Sequence, residues 1–481
     1  MGNGPGDAED YFRCIERHPG FAGGFVWEWC DHAVYAGCAK NGKKKFLYGG
    51  DHGELLHDGN FCMDGLVSPD RKPHTGLLEY KNVCRPVRVT PVDLEKGIFT
   101  VHNYYDFTCL NHRVQLAYTV KQNGEAVYTA FVPAEQLAIP PHEEGTVTLS
   151  YPEGLTGPFA VFFEALLACD TPLVPAGHVL GYEQHGLQSC PAQLLPADES
   201  LVSYDESVRF ITVSGDHFRY VFDKNTFALT MAVYNNVPLL TKPVQLNIWR
   251  APMDNDRNIR KEWEAFLYHE AAARTYGTKI TVDNNCVTLE AIVSMTAPYL
   301  PPIITGRAQW VIDGTGDITF SCRMEKNPDA PALPRLGLRL FLPRKFDHVS
   351  YFGYGPYESY IDKHQASVQD VYTGDVAHQH EDYLRPQENG SHFGCRWMQL
   401  SAPEGSLLCH GESFSFSVSP YTQEELTQKA HNFELTPCGD TVLCIDAHNA
   451  GCGSNSCGPR LDEKYRVPDV IDWEITLSPR A

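Results

Sequence analysis

Alternating apolar and polar residues predict β-strands through most of the chain after about residue 87. Every second residue over Val114–Val120 is apolar, which is typical of a strand with one buried face. Asn123-Gly124 follows, and this dipeptide favours a two-residue hairpin turn. The same logic predicts hairpins over 218–234 and 310–322, so antiparallel sheets are expected.

The first residues follow a different pattern. Asp7–His18 places apolar residues at helical spacing with acidic residues in the first turn, and Pro19-Gly20 ends the predicted helix. Gly23–Trp29 is predicted to be a buried strand. Helix, short loop and buried strand in this order are typical of a parallel sheet or barrel.

These patterns predict a mainly β fold with a short α/β start, in three segments. Residues 1–86 are predicted to form the end of a (β/α)8 barrel, 87–180 an immunoglobulin-like sandwich, and 181–481 a large antiparallel β-sandwich. A piece of a barrel cannot close its own hydrogen-bond ladder. We therefore expect the chain to be the tail of a longer protein.

The composition of the chain indicates which kinds of partner and which cellular compartment to expect. The 481 residues contain 39 Lys and Arg against 60 Asp and Glu, a net charge of −21, which argues against nucleic acid as a partner. No apolar run is long enough to span a membrane, and the start of the chain lacks signal-peptide features. The 16 cysteines are then predicted to be free thiols in a reducing cytoplasm.

Trp27-Glu28-Trp29 is the first candidate for chemistry, because tryptophan faces stack on the apolar face of a sugar ring. We favour a site over core packing for Trp27. Glu28 is a tempting nucleophile, since glycosidases use paired carboxylates. Successive strand side chains point to opposite faces, however, so a Trp27 that faces the barrel axis directs Glu28 toward the helices and disfavours that role.

Several loop motifs allow two interpretations. Asp64 lies in a Gly-rich loop where a carboxylate could bind a hydroxyl or a hard cation, whereas His52 and His57 are more readily explained as solvated loop residues than as zinc ligands. Arg250–Asp256 resembles a calcium loop only loosely, and a capping turn before a helix is preferred. Two aromatic or Gly-rich stretches, 351–360 and 385–390, could line a sugar cleft or pack on each other.

Together these motifs resemble the C-terminal half of a large bacterial β-galactosidase of glycoside hydrolase family two, over essentially the whole chain. The last of these motifs is Gly451–Pro459, a loop of small, Gly-rich residues near the C-terminus. The matching motifs, in the family's order, are Gly23–Trp29 with Asp31, Phe61–Val67, Asp70–His74, Arg250–Asp256, Gly353–Pro356, Pro386–Gly390 and Gly451–Pro459.

The resemblance implies site residues. Trp27 matches the galactose-stacking platform. The backbone carbonyl of Phe61 and the side chain of Asp64 match the region of Na⁺ and the galactose 6-hydroxyl, where some members have an asparagine in place of Asp64. Cys457 matches a position on the aglycone side that in some members is a tryptophan, so a weaker stacking site and a roomier cleft are expected.

The resemblance also implies what is missing. The family's glutamate nucleophile lies just upstream of Met1, its glutamate acid/base lies earlier still, and its Mg²⁺ ligands are outside this chain. We therefore expect a fragment of a retaining β-galactosidase, acting on lactose-like β-galactosides, that is inactive without its N-terminal portion. Homo-oligomers are expected for the complete enzyme.

Two alternatives stay open. One is another family-two exoglycosidase, such as a β-glucuronidase or β-mannosidase, although such enzymes as a rule lack the large terminal sandwich. The other is a freestanding carbohydrate-binding or structural β-sandwich protein. The barrel piece argues against it, because its apolar strands would be exposed.

Overall fold

The computed structural model describes residues 2–192, 197 and 199–480, so Met1 lies outside the described residues. The chain separates into two compact units. The large unit comprises Met1–Leu77, Ala192–Ser367 and Tyr372–Ala481, and the small unit comprises Leu78–Pro191 and Val368–Val371. Strands dominate both units, and the predicted fold class, mainly β after a short α/β start, is confirmed. The boundaries at 86 and 180 stay predictions.

The first helix forms where its pattern predicts it. Helix α1 spans Ala8–Arg17, with Asp7 as its N-cap and no buried residue. A hairpin and a second helix follow it. Their bounds are β1 Val34–Cys38, β2 Lys44–Leu47 and α2 Thr75–Val83.

The prediction of a buried strand over Gly23–Trp29 is wrong. Phe25 is 103% and Trp27 75% exposed, and pairing begins only at Glu28. The Glu28 N–H donates to the Asp64 carbonyl at 2.8 Å, and the Leu66 N–H donates to the Glu28 carbonyl at 2.9 Å. Among the described residues, the backbone from Glu28 onward is hydrogen-bonded along one edge only. The segment is therefore extended, but no second strand covers its other edge.

The small unit contains a three-stranded sheet, in the order β3-β4-β7, and a four-stranded sheet, in the order β6-β5-β8-β9. The predicted hairpin at Asn123-Gly124 is confirmed, and both residues have positive φ, as the turn requires. Apolar side chains from both sheets form one core. The strands are β3 Val87–Asp93, β4 Ile98–Asn103, β5 Val114–Gln122, β6 Glu125–Phe131, β7 Glu144–Thr148, β8 Ala160–Leu167 and β9 Val179–Gly186.

The large unit contains the two-stranded sheet of β1 and β2, a five-stranded antiparallel sheet formed by the strands between 203 and 238, and a twelve-stranded sheet formed by the strands from 242 to 480. Two further helices lie in it, α3 Ile259–Ala265 and α4 Gln423–Gln428. The strands are β10 Ser203–Glu206, β11 Phe210–Ser214, β12 Phe218–Asp223, β13 Ala228–Tyr234, β14 Val237–Pro238, β15 Lys242–Asn247, β16 Ala272–Asp283, β17 Cys286–Thr296, β18 Ile304–Ile312, β19 Ile318–Lys326, β20 Arg335–Pro343, β21 His348–Gly355, β22 Val368–Asp375, β23 Ser391–Ala402, β24 Gly405–Ser419, β25 Asp440–Asn449 and β26 Val470–Arg480.

The twelve-stranded sheet follows the order β15-β20-β25-β24-β26-β19-β18-β17-β16, with β21 joined to it through β23. The predicted hairpins β12–β13 and β18–β19 are both present. Large side chains such as Trp310 and Phe320 face one continuous core with the five-stranded sheet. Burial of this core is the main stabilising contribution to the large unit.

No helix in the described part of the chain is long and apolar enough to cross a membrane. None of the 16 cysteines, all of which lie among the described residues, forms a disulfide. Cys395 and Cys409 are fully buried, and burial raises the pKa of both thiols, so they pack as small apolar groups.

Candidate functional site

Trp27 and Asp64 are brought together by the parallel ladder between 28–31 and 64–67. The Glu28–Asp64 backbone bond fixes the residue after Trp27 against Asp64 itself, and the Asp31 N–H donates to the Val67 carbonyl at 2.9 Å. The Trp27 indole is largely exposed, and the peptide bond from Trp27 to Glu28 is cis. An exposed indole and a buried carboxyl group on two joined segments suit a ligand that is apolar on one face and hydroxylated at its edge.

Asp64 is only 3% exposed, and its Oδ1 has no hydrogen-bond partner among the described residues. Burial raises the pKa of this carboxyl group, and the negative charge of Glu28 adds to the rise. A buried acceptor without a donor is unfavourable. A bound hydroxyl or cation would satisfy this oxygen, so the structure fits either ligand.

Glu28 is half-buried, and its carboxylate lies 3.3 Å from the imidazole Nε2 of His32. Glu28 also interacts electrostatically with Asp64. The Glu28 carboxylate therefore faces the polar groups of His32 and Asp64.

Asp31 and His74 form a buried pair that stabilises the ladder between 28–31 and 64–67. The imidazole Nε2 of His74 lies 2.7 Å from the Asp31 carboxylate, and both side chains are buried or nearly so. The other Asp31 oxygen accepts from the Gly65 N–H at 2.9 Å. Cβ at Gly65 would meet the Asp31 backbone nitrogen at 2.1 Å, so only glycine fits beside Asp64.

Phe61 lines a cleft of about 350 Å³. The Arg257 guanidinium lies 5.3 Å from the centre of the Phe61 ring. On the same cleft, Asp254 accepts from Asn60 Nδ2 at 2.5 Å and from Gln387 Nε2 at 3.1 Å, and burial raises the pKa of Asp254. These side chains fix the turn that contains Phe61, three residues before Asp64.

The Gly451–Pro459 loop reaches the same cleft through Ser456. The Asn258 side-chain amide donates to the carbonyls of Asn455 and Ser456 at 3.1 and 3.0 Å. Cys457 is exposed, and its thiol lies 3.9 Å from the Ser456 hydroxyl. Cys457 directly follows the cleft residue Ser456 in the chain, and its role on the aglycone side stays a prediction.

The Arg250–Asp256 motif is a capping turn before a helix, as preferred from the sequence. Met253 N–H donates to Asp256 Oδ2 at 3.0 Å, and α3 begins at Ile259. The fully buried Arg250 guanidinium donates to both Asp256 oxygens, at 2.8 and 3.1 Å. Among the described residues no group of three or more His, Cys, Asp or Glu side chains could hold a metal ion.

The two ambiguous stretches, 351–360 and 385–390, pack on each other. The Gly390 N–H donates to the Glu358 carboxylate at 2.8 Å, and the Ser359 N–H donates to the Ser391 carbonyl at 2.7 Å. The sequence did not identify Asn60 or Arg257 as cleft residues. The signals for them were positional: Arg257 directly follows the Arg250–Asp256 motif, and Asn60 directly precedes Phe61.

Comparison with known proteins adds three family matches. The family described as "Beta galactosidase small chain" matches residues 214–477, which is more than half of the chain. "Glycosyl hydrolases family 2, TIM barrel domain" matches 1–89, and "Beta-galactosidase, domain 4" matches 99–188.

Curated relatives match nearly the whole chain. A β-galactosidase of Actinobacillus pleuropneumoniae is 39% identical over 97% of this chain and 45% of its own length. Those of Staphylococcus xylosus and Priestia megaterium are 34% and 30% identical, over 97% and 95% of this chain and 47% and 44% of their own lengths. The chain thus spans about half the length of these relatives.

Proposed function

Because this chain belongs to the β-galactosidase small chain family, with domains of glycosyl hydrolases of family 2, we propose that it supplies substrate-binding residues of a retaining β-galactosidase. The substrates are terminal, non-reducing β-D-galactosides such as lactose. The main support is the Glu28–Asp64 backbone hydrogen bond, which joins the residue after the exposed Trp27 to Asp64, whose carboxyl group is buried.

The chemistry needs two carboxyl groups about 5 Å apart, one as nucleophile and one as acid/base. We assign both to a polypeptide segment outside residues 1–481. The residues of this chain bind and orient the sugar. Trp27 stacks on the apolar face of the galactose ring, and Asp64 accepts a hydrogen bond from a hydroxyl at its edge.

We further propose that Phe61, through its backbone carbonyl, and Asp64 hold a Na⁺ ion. The partnerless Asp64 Oδ1 supports this assignment, since oxygen ligands suit hard cations. A bound cation would orient the galactose hydroxyl. Cys457 would border the aglycone, where a thiol leaves more room than an indole and stacks less strongly.

Location and assembly are proposals of the same kind. The absence of disulfides among the described cysteines supports a reducing compartment, and we place the protein in the cytoplasm. We expect the complete enzyme to be a homo-oligomer.

A chimera tests the proposed function. The N-terminal half of the Actinobacillus pleuropneumoniae relative is fused to residues 1–481, and hydrolysis of o-nitrophenyl β-galactoside is measured. We expect turnover by the chimera, and a loss of about a hundredfold in kcat/KM, or ~2.7 kcal/mol, in Trp27→Ala. Tyr299→Ala, which removes an aromatic residue that is 105% exposed in the sandwich, is the matched control and should retain full activity.

A chimera that unfolds cooperatively but hydrolyses no galactoside would overturn the proposal. So would a Trp27→Ala chimera with the same kcat/KM as its parent.

A further inference from the structure

Asn258 lies beside two of the segments that line the Phe61 cleft, the space of about 350 Å³ bordered by Phe61 and Ser456. Its side-chain amide donates to the carbonyls of Asn455 and Ser456, at 3.1 and 3.0 Å. The preceding residue, Arg257, contacts the Phe61 ring. Helix α3 begins at the residue after Asn258, so this amide reaches the loop from a fixed element.

The Asn258 amide orients two consecutive peptide units of the loop. A peptide unit is planar, so the Ser456 carbonyl shares its plane with the Cys457 N–H. A hydrogen bond to that carbonyl therefore orients the backbone from which the Cys457 side chain projects. Ser454 and Asn455 have φ values of 52° and 68°, so the loop is turned where its two carbonyls approach one amide nitrogen.

Few other contacts hold this part of the loop. Among the described residues, no segment other than Asn258 hydrogen-bonds to the backbone of 456–458, and Cys457 is exposed. Asn455 has a second attachment, because its Oδ1 accepts from the Leu461 N–H at 3.1 Å. Loss of the Asn258 donors should therefore release 456–458 and leave the rest of the loop in place.

We propose that Asn258 is a positioning residue that sets substrate specificity on the aglycone side of the Phe61 cleft. It acts by holding the peptide plane between Ser456 and Cys457. This role rests on the proposed function, which places the sugar on Trp27 and the aglycone beside Cys457. Because the Asn258 amide holds only the loop, its loss alters how the aglycone is bound and leaves the galactose contacts unchanged.

The chimera with the N-terminal half of the relative tests this role, with Asn258→Asp as the variant. An ionised aspartate is close in size to asparagine but donates no hydrogen bond, and its charge repels the two carbonyl oxygens. Asn327→Asp is the matched control, because Asn327 Nδ2 also donates to a loop carbonyl, that of Pro302, at 3.1 Å.

The values of kcat/KM are measured for lactose and o-nitrophenyl β-galactoside, which share galactose and differ in the aglycone. Inhibition by free galactose, which has no aglycone, is measured beside them. We expect Asn258→Asp to change the ratio of the two kcat/KM values by about fivefold or more, with the inhibition constant of galactose within about twofold of the parent. Asn327→Asp should leave both quantities unchanged.

Hydrogen exchange of the full chain tests the same contact without hydrolysis. The Ser456 N–H donates to the Ser454 carbonyl at 2.8 Å, and it should exchange about tenfold faster in Asn258→Asp than in the parent, because the loop opens more often. The N–H groups of Cys452 and Gly453 donate to Asp362 and should exchange as before. Mass spectrometry of the loop peptides measures both.

Three results would overturn this role for Asn258. The first is an active chimera in which Asn258→Asp keeps the parent's ratio of kcat/KM values, and the proposed function would then stand without it. The second is an equal fall for both substrates with weaker inhibition by galactose, which would show a purely structural role. The third is unchanged exchange of the Ser456 N–H. A chimera that hydrolyses neither substrate would instead overturn the proposed function, and with it the specificity assigned to Asn258.

Discussion

The Lys363 ammonium donates a 2.7 Å hydrogen bond to the side-chain oxygen of Asn3, 360 positions earlier in the chain. Both residues are fully buried. The Asn3 amide donates in turn to Tyr360 Oη at 2.9 Å and to the Glu388 carbonyl at 2.8 Å. The sandwich therefore holds the first residues of the chain, and through them the start of the candidate site.

We expect Lys363→Met to destabilise the chain by about 3–5 kcal/mol, the typical cost of leaving a buried charge uncompensated. The charge left alone is Glu358, whose Oε1 lies 2.8 Å from Lys363 Nζ. Urea unfolding measures the loss. Lys279→Met, which breaks the exposed Lys279–Glu290 pair, is the control and should cost at most about 1 kcal/mol. Equal losses in the two variants would contradict this prediction.

Asp7 should make stability depend on pH. Burial is the largest cause that raises its pKa from 3.8 to about 7; Asp362 and Asp10 add to the rise, and the Ser454 hydrogen bond opposes it. Between these values the folded chain binds a proton that the unfolded chain does not, so stability falls as pH rises toward 7.

Asp7→Asn removes this titration. We expect the variant to be more stable than the parent at pH 8 by about 2–4 kcal/mol, since one pKa unit is worth ~1.4 kcal/mol, and equally stable near pH 4. Urea midpoints across this range measure the difference. Asp329→Asn, at an exposed position, should show no such trend. A constant difference between parent and Asp7→Asn would refute the assignment.

Asp64→Asn tests the cation site. In the chimera we expect the Na⁺ concentration for half-maximal activity to rise about tenfold, or ~1.4 kcal/mol, because a neutral amide oxygen attracts the ion less than a carboxylate. Galactoside hydrolysis titrated with NaCl at constant ionic strength measures this. Asp58→Asn changes a neighbouring cleft residue and should leave the Na⁺ dependence unchanged. A Na⁺ titration that is identical in Asp64→Asn and its parent would exclude this residue as a ligand.

The chain alone should self-associate. Phe25, Leu55 and Leu56 are each at least 94% exposed, and Trp27 and Trp29 are exposed as well; apolar surface of this kind favours aggregation. Light scattering after gel filtration should show species larger than the 53.8 kDa monomer. Serine at Phe25, Leu55 and Leu56 should shift the distribution toward monomer, whereas Phe107→Ser, in the small unit, should not. A monodisperse parent monomer would contradict the prediction.

Local sequence patterns predicted the structure correctly where it depends on the residues of one short segment. Asn123-Gly124 has the positive φ values of its turn, and helix α1 lies within the predicted 7–18. Gly23–Trp29 has the composition of a buried strand, yet burial depends on covering elements, and the described residues provide a partner on one side only.

The hydrophobic pattern of the sequence also did not predict which charged residues are buried. Arg335 begins a strand and is 0% exposed, because Asp446 and Glu388 neutralise it from distant parts of the chain. Asp362 likewise accepts from the N–H groups of Cys452 and Gly453, at 2.9 and 2.7 Å. Such pairs depend on tertiary neighbours, which single-residue propensities do not encode.

The first residues of the chain bind side chains of the sandwich that the ribosome makes much later, so these contacts form late during synthesis. Asp7 accepts from the Ser454 hydroxyl, 447 positions later, and Asn255 Nδ2 donates to the Gly4 carbonyl at 2.8 Å. At ~5–20 residues per second, ribosomes need roughly 20–90 s to translate the intervening chain. During that time the nascent Gly2–Asp7 segment has no Ser454 to bind, so chaperones have a long interval in which to capture it.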